Sequence, residues 1–364
     1  MPKPRLFLLD GHSLAFRAFY ALPLLSSSSG RYTNAVHGFA MMLTRLLEDH
    51  QPDYIAVAFD KGLPTERLKL YADYKGTRQK TPTEMSEQIP YIKQVLEAYR
   101  IPILEKAGHE ADDIIGTLAT RAAAAGLETM IVTGDRDVLQ LVAPTVTVLL
   151  TRRGITDMDV YDQAAVEARY ELAPHQLVDL KALMGDTSDN IPGIPGIGEK
   201  TGIRLLKKAG SLEALLAHPE AYATKKTLER LRTYRDQAWL SYELATIVCD
   251  LELDLTIPDL KRQPADYQQL AAVYQEYELK SLLERLPVEI TAPDSAQATL
   301  PVGEWRLVAD EADFALLAKM LQEAEQPVAI AVNSEEKPIC LALAPAGGPT
   351  FVLTDITPDL AKLL

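Results

Sequence analysis

Three short apolar segments, each followed directly by an acidic turn, constrain the fold of this chain most strongly. They are residues 5–9, 54–59 and 129–132. Uninterrupted apolar runs of this length are typical of strands in a parallel sheet that is covered on both faces. Segments with helical periodicity at 35–49 and 109–125 lie between the three runs. This alternation of strand and helix predicts an open α/β fold with a mainly parallel sheet.

Acidic residues follow the predicted strands and also begin the helix at 109–125. In open α/β folds ligands bind beyond the carboxyl ends of the strands, so these acids are expected to converge. Each acid alone could be a turn former, a helix cap or a partner of the helix dipole. Together they would repel one another unless cations lay between them. The set is Asp10, Asp60, Glu110, Asp112, Asp113, Asp135 and Asp137.

A site built only from carboxylate oxygens selects Mg²⁺ or Mn²⁺. One or two carboxylates suffice for one Mg²⁺, so the larger number predicts two ions, as in sites that cleave phosphodiesters. Two further acids, Asp186 and Asp189, precede the glycine-rich turn 192–198. They could form the turn only, but their spacing also suits two more ligands. The segment 138–184 is predicted to be mostly helical, with a possible strand at 146–150.

The glycine-rich turn leads into a predicted helix at 199–208 that carries several basic residues. Small residues at the start of a helix allow its backbone N–H groups to approach a phosphate. A second basic segment, 61–80, holds six Lys or Arg against two acids and includes Tyr71 and Tyr74. This composition suits a single nucleic-acid strand, although a solvated helix face is an equal alternative. The formal charge of −14 argues only mildly against nucleic-acid binding.

Composition also limits the compartment and the domain organisation. No apolar run is long enough to span a membrane, and no signal peptide is evident. Only Cys249 and Cys340 are present, which indicates a cytoplasmic protein without a cysteine-based zinc site. Residues 288–301 have the composition of a linker. A second α/β segment follows at 302–364 and begins with the mainly apolar residues 305–308, with a helix predicted at 311–324 and strands at 327–332, 338–343 and 350–353. Because the sequence stops within a predicted helix, we expect a fragment of a longer protein.

Taken together, the motifs resemble the 5′ nuclease (flap endonuclease-like) domain at the N-terminus of bacterial DNA polymerase I. The resemblance covers roughly residues 1–290 in the order of that family. It implies a PIN-like fold with a catalytic domain at 1–175, a helical arch at about 61–90 and a helix-hairpin-helix region at 176–287. The matching segments are LLDGHSLAFRAFYAL, AVHGFAMML, VAFDKG, YADYKGTR, GHEADDIIGTLA, IVTGDRDVLQL and MGDTSDNIPGIPGIGEKTGIRLL.

The resemblance implies a monomeric two-metal phosphodiesterase that removes 5′ flaps and RNA primers from branched or nicked duplex DNA. All nine acids match metal carboxylates of the family. Asp10, Asp60, Glu110, Asp112 and Asp113 would lean toward one ion, and Asp135, Asp137, Asp186 and Asp189 toward the other. Asp113 would lie near both ions and be essential for catalysis, and some acids would act through water.

The resemblance also implies a set of DNA contacts. Lys75 and Arg78 match arch residues that neutralise the scissile phosphate, and Tyr74 would stack on a base. Arg17 matches a phosphate contact, and Arg67 belongs to the same basic segment. The hairpin at 192–201 would grip duplex DNA and could bind K⁺ through carbonyl groups. Its contact residues would be Gly193, Gly196, Gly198, Lys200 and Thr201.

Residues 302–364 resemble the start of an RNase H-like 3′-5′ exonuclease domain of the same polymerases. Active members carry Asp-x-Glu on the first core strand, where this chain has Asn333-Ser334-Glu335. We therefore expect an inactive segment that links the nuclease to a polymerase domain. Two other classes of protein remain as alternatives for the whole chain. A PIN-like nuclease acting on RNA would lack the long hairpin region, and a non-catalytic DNA-binding module would have lost some of the nine acids.

Overall fold

The computed structural model describes residues 3–78, 80–152 and 157–287, together with parts of the C-terminal segment. Those parts are residues 305–307, 317, 319, 329–333, 340–344 and 350–353. The chain forms two compact units, Met1–Thr291 and Ala292–Leu364. In the described residues, no helix is both long and apolar enough to cross a bilayer.

A six-stranded sheet forms the centre of the first unit, with strand order β3-β2-β1-β4-β5-β6. The strands are β1 (Arg5–Asp10), β2 (Tyr54–Lys61), β3 (Ile103–Ala107), β4 (Glu128–Thr133), β5 (Val146–Thr151) and β6 (Met158–Tyr161). The first five strands run parallel, and β6 is antiparallel to β5. The three predicted strands and the possible strand at 146–150 are thus present. The prediction missed β3 and β6, so 138–184 is less helical than expected.

Side chains alternate along the strands and supply two separate cores. Phe7 and Leu9 of β1 pack on one face, and Leu6 and Leu8 pack on the other. Helices α1 (Gly11–Ala21), α2 (Asn34–His50) and α5 (Ile89–Ala98) cover the first face. Helix α6 (Ala111–Ala124) covers the second face with Ile114, Ile115 and Leu118. Because both faces are covered, β1 can be apolar throughout, as the sequence indicated.

Within the described part of the segment predicted as a helical arch, the helices before α5 are short, α3 (Thr65–Leu70) and α4 (Thr83–Ser86). Between them, residues 72–77 form consecutive turns, and Lys75 adopts a left-handed conformation with φ of 57°. The Lys75 N–H donates to the carbonyl of Asp189 at 2.9 Å, and the Asn190 amide donates to the carbonyl of Asp73 at 2.7 Å. These bonds dock the turn segment 71–78 onto the loop that carries Asp186 and Asp189.

A third core belongs to the helix-hairpin-helix region, in which Leu180, Ile194, Ile197 and Leu205 pack together. Helix α7 (Gln163–Tyr170) precedes this region and packs on the second face of the sheet through Val166. The helices of the region are α8 (Gln176–Met184), α9 (Glu199–Ala209), α10 (Leu212–Ala217), α11 (Pro219–Tyr222), α12 (Lys225–Thr233) and α13 (Arg235–Ala245). Helix α9 matches the helix predicted at 199–208. The last helices of the unit, α14 (Tyr267–Glu276) and α15 (Lys280–Leu283), pack on the first face of the sheet instead.

The second unit contains a four-stranded sheet with strand order β7-β10-β9-β8. Its strands are β7 (Trp305–Leu307), β8 (Ala329–Asn333), β9 (Cys340–Ala344) and β10 (Thr350–Leu353). Strand β10 is parallel to β7, whereas the other pairs are antiparallel. The three predicted strands correspond to β8, β9 and β10 and lie within two residues of their predicted positions. The predicted linker at 288–301 and most of the predicted helix at 311–324 lie outside the described residues.

Candidate active site

A polar cleft of about 580 Å³ lies at the carboxyl edge of the first sheet. Acids from three strand ends and from the start of α6 meet there, together with two basic residues of the turn segment 71–78. The acids that line the cleft are Asp10, Asp60, Glu110, Asp112 and Asp135, and the basic residues are Lys75 and Arg78. The sheet topology causes this convergence, because β1, β2 and β4 are adjacent and parallel.

Two of these acids also join the surrounding elements. Asp10 caps α1 by accepting from the Ser13 N–H at 3.0 Å, and it accepts from the Thr133 hydroxyl at 2.9 Å. Burial raises the pKa of Asp10 to about 7, and the charges of Asp60 and Asp135 act in the same direction. Asp60 accepts from the Ala111 N–H at 2.8 Å and so ties β2 to the start of α6.

Asp112 provides the clearest indication that this cleft suits a cation. Its Oδ1 atom is shielded from solvent and has no hydrogen-bond partner among the described residues. Burial raises the pKa of Asp112 well above its ordinary value, and the charge of Asp113 adds to the effect. A carboxylate oxygen without a donor is costly in such a place unless a cation or proton satisfies it. The donor set, consisting of oxygens only, fits Mg²⁺ or Mn²⁺.

A second acidic group consists of Asp137, Asp186 and Asp189, whose nearest oxygens all lie within 4.8 Å of one another. The ammonium group of Lys181 contacts Asp137 and lies 2.6 Å from Asp186. Burial raises the pKa of Asp137 to about 6, with a further contribution from the charge of Asp135. Although burial opposes the change, hydrogen bonds from Lys181 and Ser188 lower the pKa of Asp186 to about 2.

Lys181 is a site residue that the sequence reasoning missed. It lies on α8, five residues before Asp186, and only its proximity to that acid in the sequence could have indicated its role. Its ammonium group lies between Asp137 and Asp186 and supplies the positive charge between these two acids.

The structure does not place Asp113 in the cleft, in contrast to the sequence-based assignment. Its side chain is fully buried and forms an ion pair with Arg67. It also accepts from the backbone N–H groups of Glu110 at 3.1 Å and Val248 at 2.9 Å. Asp112 and Asp113 are neighbours at the start of a helix, so their side chains point in different directions. Only Asp112 faces the cleft.

Arg67 and Tyr74 also differ from their predicted roles as DNA contacts. Arg67 is buried and donates to Glu110, Asp113 and the carbonyl groups of Leu244 and Thr246. Tyr74 is 5% exposed, and its hydroxyl donates to Glu110 at 3.0 Å. In this conformation both side chains are engaged inside the protein, and Tyr74 packs against Val178, Ile191 and Leu244.

Lys75 and Arg78 do reach the cleft, and Lys75 bridges the two acidic groups. The Lys75 ammonium contacts Glu110 and lies 3.7 Å from Asp189. The Arg78 guanidinium lies 2.5 Å from Asp189. Both basic groups therefore neutralise acids in the structure and line the space in which a phosphate would bind. Arg17, which was predicted to contact a phosphate, lies on α1. It directly follows the cleft residue Phe16 and lies four positions after the cleft residue Ser13.

The hairpin between α8 and α9 has the glycine conformations that its turn requires. Gly193 and Gly196 have φ of 57° and 80°, and a Cβ on Gly193 would lie 2.1 Å from the Gly185 nitrogen. The Gly196 carbonyl accepts from the Arg230 guanidinium at 2.9 Å. Gly198 caps α9, and Lys200 and Thr201 lie in its first turn. This helix end could hold a backbone phosphate through its N–H groups.

A mainly parallel sheet with acids gathered at its carboxyl edge, followed by a helix-hairpin-helix region, defines the PIN-like 5′ nuclease class. Two family models match this chain. They are the 5′-3′ exonuclease N-terminal resolvase-like domain over residues 5–171 and the 5′-3′ exonuclease C-terminal SAM fold over residues 172–268. The chain belongs to the 5′-3′ exonuclease family.

Among curated proteins, the chain is similar to DNA polymerase I of two bacilli. It is 43% identical to the Bacillus subtilis (strain 168) protein over 355 residues, which covers 97% of this chain and 40% of that protein. It is 48% identical to the Bacillus caldotenax protein over 284 residues, which covers 78% of this chain and 32% of that protein. The chain therefore spans less than half the length of these relatives.

Solved structures share the fold at lower sequence identity. The T5 D15 protein co-crystallized with metal ions aligns with a TM-score of 0.57 at 21% identity, covering 68% of this chain and 90% of that one. The catalytic core of Rad2 in complex with DNA substrate aligns with a TM-score of 0.53 at 15% identity, covering 76% of this chain and 88% of that one. Both alignments support the 5′ nuclease fold.

Proposed function

We propose that this chain hydrolyses phosphodiester bonds of 5′ flaps and RNA primers on duplex DNA by a two-metal mechanism. The observation that carries the proposal is the convergence of acids from β1, β2, β4 and α6 around the unpartnered Oδ1 of Asp112. Related proteins bound to metal ions or to DNA share this fold, which supports the same chemistry here.

The acids would hold the ions in two groups. Asp10, Asp60, Glu110, Asp112 and Asp135 would serve one ion, and Asp137, Asp186 and Asp189 the other. Asp135 differs here from the expectation based on the resemblance, because it lines the cleft with the first group. Asp113 would act through Arg67 and the backbone rather than as a ligand. Bound divalent ions would supply an activated water and neutralise charge on the phosphate. Mg²⁺ is our choice, with Mn²⁺ as a substitute, because the donors are oxygens only.

The basic residues of the cleft would act on the substrate. Lys75 and Arg78 are already in contact with the acids, so they are positioned to exchange those contacts for phosphate oxygens. Charge that develops on the phosphate during cleavage would then be stabilised by groups fixed in advance. The hairpin residues Gly193 to Thr201 would hold the duplex backbone, and their carbonyl groups could bind K⁺.

The wider setting follows from the relatives. We propose that the chain acts as a monomer in the bacterial cytoplasm, associated with the nucleoid, as the 5′ nuclease part of a DNA polymerase I. That assignment rests on the similarity to DNA polymerase I of bacilli, of which the chain spans 40% in Bacillus subtilis.

A single assay tests this function. The protein is incubated with a 5′-flap DNA duplex labelled at its 5′ end, with Mg²⁺ or with a chelator, and the product sizes are read. We expect cleavage near the junction with Mg²⁺ only, and loss of cleavage in Asp112→Asn. Equal or faster cleavage of an unpaired RNA would instead favour the RNA-acting alternative. Binding without cleavage under all conditions would favour a non-catalytic module.

A further inference from the structure

A second pocket, of about 200 Å³, lies between the second acidic group and the first residue of α9. Three basic side chains, two acids and an aromatic ring line it. The residues concerned are Arg136, Asp137, Arg169, Tyr170, Lys181 and Glu199. Asp137 belongs to the second acidic group, and Glu199 is the first residue of the helix that follows the hairpin.

The charges in this pocket do not balance. Lys181 is paired with Asp137 and Asp186, and Arg169 lies 3.6 Å from Glu199. Arg136 is exposed and forms no ion pair or side-chain hydrogen bond within the described part of the chain. One positive charge therefore remains available beside the acids of the proposed active site.

The Tyr170 ring lies beside one of the basic groups that line the pocket. The Arg169 guanidinium lies 4.8 Å from the centre of the Tyr170 ring. Arg136 lines the same pocket as Arg169 and Tyr170. Burial raises the pKa of Tyr170, while the charges of both arginines act against this change. Both side chains of the ion pair between Arg169 and Glu199 are about half exposed, so separating them requires little free energy.

We propose that this pocket binds a backbone phosphate of the DNA strand that runs from the cleaved bond to the duplex held by the hairpin. The proposal rests on the proposed function, because that function puts the cleaved bond at the acids and the duplex at α9. A strand joining these two points passes the pocket that lies between them. Arg136 supplies the charge, and Arg169 becomes available when its exposed pair with Glu199 opens. Guanidinium groups suit phosphate oxygens, and such contacts are independent of base sequence.

The test measures DNA binding with Ca²⁺ in place of Mg²⁺, on a 5′-flap duplex and on a single strand of the flap sequence. We expect Arg136→Gln to weaken duplex binding about three- to tenfold near 0.1 M salt and to reduce the salt slope by about one. Binding of the single strand should change less than about twofold, since the pocket lies on the duplex side. Arg136→Lys should recover most of the affinity because it keeps the charge.

Arg45→Gln is the matched control. Arg45 is also an exposed arginine, but it lies on α2 and pairs with Asp49 on the same helix. It should bind both DNAs as the parent does. If Arg136→Gln bound the duplex like the parent while the parent still cleaved flaps, the pocket proposal would be wrong and the proposed function would stand. An equal loss for duplex and single strand would also overturn it. Failure of the parent to cleave flaps with Mg²⁺ would instead contradict the proposed function.

Discussion

The guanidinium of Arg67 and the carboxylate of Asp113 form a buried ion pair through two parallel hydrogen bonds. Nη1 lies 2.7 Å from Oδ2, and Nη2 lies 2.8 Å from Oδ1. The N–H groups of Glu110 and Val248 each donate to one of the same two oxygens. A carboxylate has about four lone-pair sites, and these four hydrogen bonds occupy the Asp113 carboxylate in this structure. Its role is to fix Arg67, which in turn holds Glu110.

We expect Asp113→Asn to destabilise the fold and Asp112→Asn to affect cleavage. Asp113→Asn leaves the Arg67 charge buried without its partner, which should lower the free energy of unfolding by ~3 kcal/mol. Asp112→Asn removes a repelled carboxylate, so stability without metal should stay equal or rise, while cleavage falls at least about a hundredfold. Urea unfolding and single-turnover cleavage of both variants are the measurements. Unchanged stability with abolished cleavage in Asp113→Asn would restore its assignment as a ligand.

The strand-end acids could be predicted from the sequence because each follows a run that must be buried. Asp10 and Asp60 lie at the ends of strands with continuous apolar runs. Such runs are typical of central positions in a parallel sheet. Strand β3 was missed because it lies at the edge, where Glu105 and Lys106 can face solvent and break the apolar pattern. Strand β6, the opposite edge, is short and mixed in the same way.

The sequence does not distinguish the roles of the individual basic residues in the segment 61–80. Arg67 and Arg78 have the same charge and lie eleven positions apart, yet Arg67 is buried and Arg78 faces the cleft. Their difference depends on how the turn segment 71–78 docks on the loop at 186–191, a contact between distant parts of the chain. The same holds for Asp112 and Asp113, which only the orientation of α6 distinguishes.

The raised pKa of Asp10 and Asp137 predicts an unusual pH dependence for the metal-free protein. Their pKa values are about 7 and about 6 in the folded state, because both carboxylates are buried near other acids. Between about pH 4 and these values the folded state binds more protons than the unfolded state, so stability falls as pH rises. The loss is on the order of 1.4 kcal/mol for each unit of pKa shift.

Urea unfolding of chelator-treated protein should therefore give a higher unfolding free energy at about pH 5.5 than at about pH 7.5. Asp10→Asn should flatten this profile, and Mg²⁺ at the higher pH should restore stability, because it binds only the folded state. Asp186 behaves in the opposite sense. Its folded pKa of about 2 contributes stability that is lost only as the pH falls from about 4 toward 2. A parent profile that rises from pH 5.5 to 7.5 without metal would contradict the prediction.

Lys75→Ala should lower the rate of cleavage much more than the affinity for DNA. The Lys75 ammonium already lies between Glu110 and Asp189, where it can stabilise charge on the reacting phosphate. We expect the single-turnover rate to fall about a hundredfold and flap affinity to fall less than about threefold. Lys69→Ala is the control, because Lys69 belongs to the same segment but is exposed and paired with Glu66. Equal losses of rate and affinity would make Lys75 a docking contact only.

Gly196→Ala should weaken binding to duplex DNA of any sequence. Gly196 has φ of 80°, and an added Cβ would lie 2.3 Å from the Arg230 side chain that holds its carbonyl. The left-handed backbone of a non-glycine residue costs on the order of 1 kcal/mol, so the hairpin should lose its shape before the fold does. Gly198→Ala should cause a smaller loss, because its Cβ would meet no atom. Affinities for flaps of two unrelated sequences provide the measurement, and loss for one sequence only would contradict a backbone grip.

The C-terminal unit is predicted to lack 3′-5′ exonuclease activity. Strand β8 ends at Asn333. The resemblance implies an aspartate at this position and a glutamate two residues later, where this chain has Glu335. Residues two apart on a strand face the same side, so an Asp and a Glu there could share a metal ion. An amide is neutral and a weaker ligand for Mg²⁺ than a carboxylate. We therefore expect no shortening of a 3′-mismatched primer in the presence of Mg²⁺.

Two variants make this prediction decisive. Asp112→Asn silences the proposed 5′ nuclease site, so any remaining degradation of the mismatched primer must start at the 3′ end. Release of 3′ nucleotides by this variant would show that the C-terminal unit is active. Removal of residues 292–364 tests the remaining role as a connecting segment. Because residues 1–291 form a compact unit of their own, flap cleavage by the shortened chain should stay within about twofold of the parent. A larger loss would show that the C-terminal unit contributes to cleavage by the first unit.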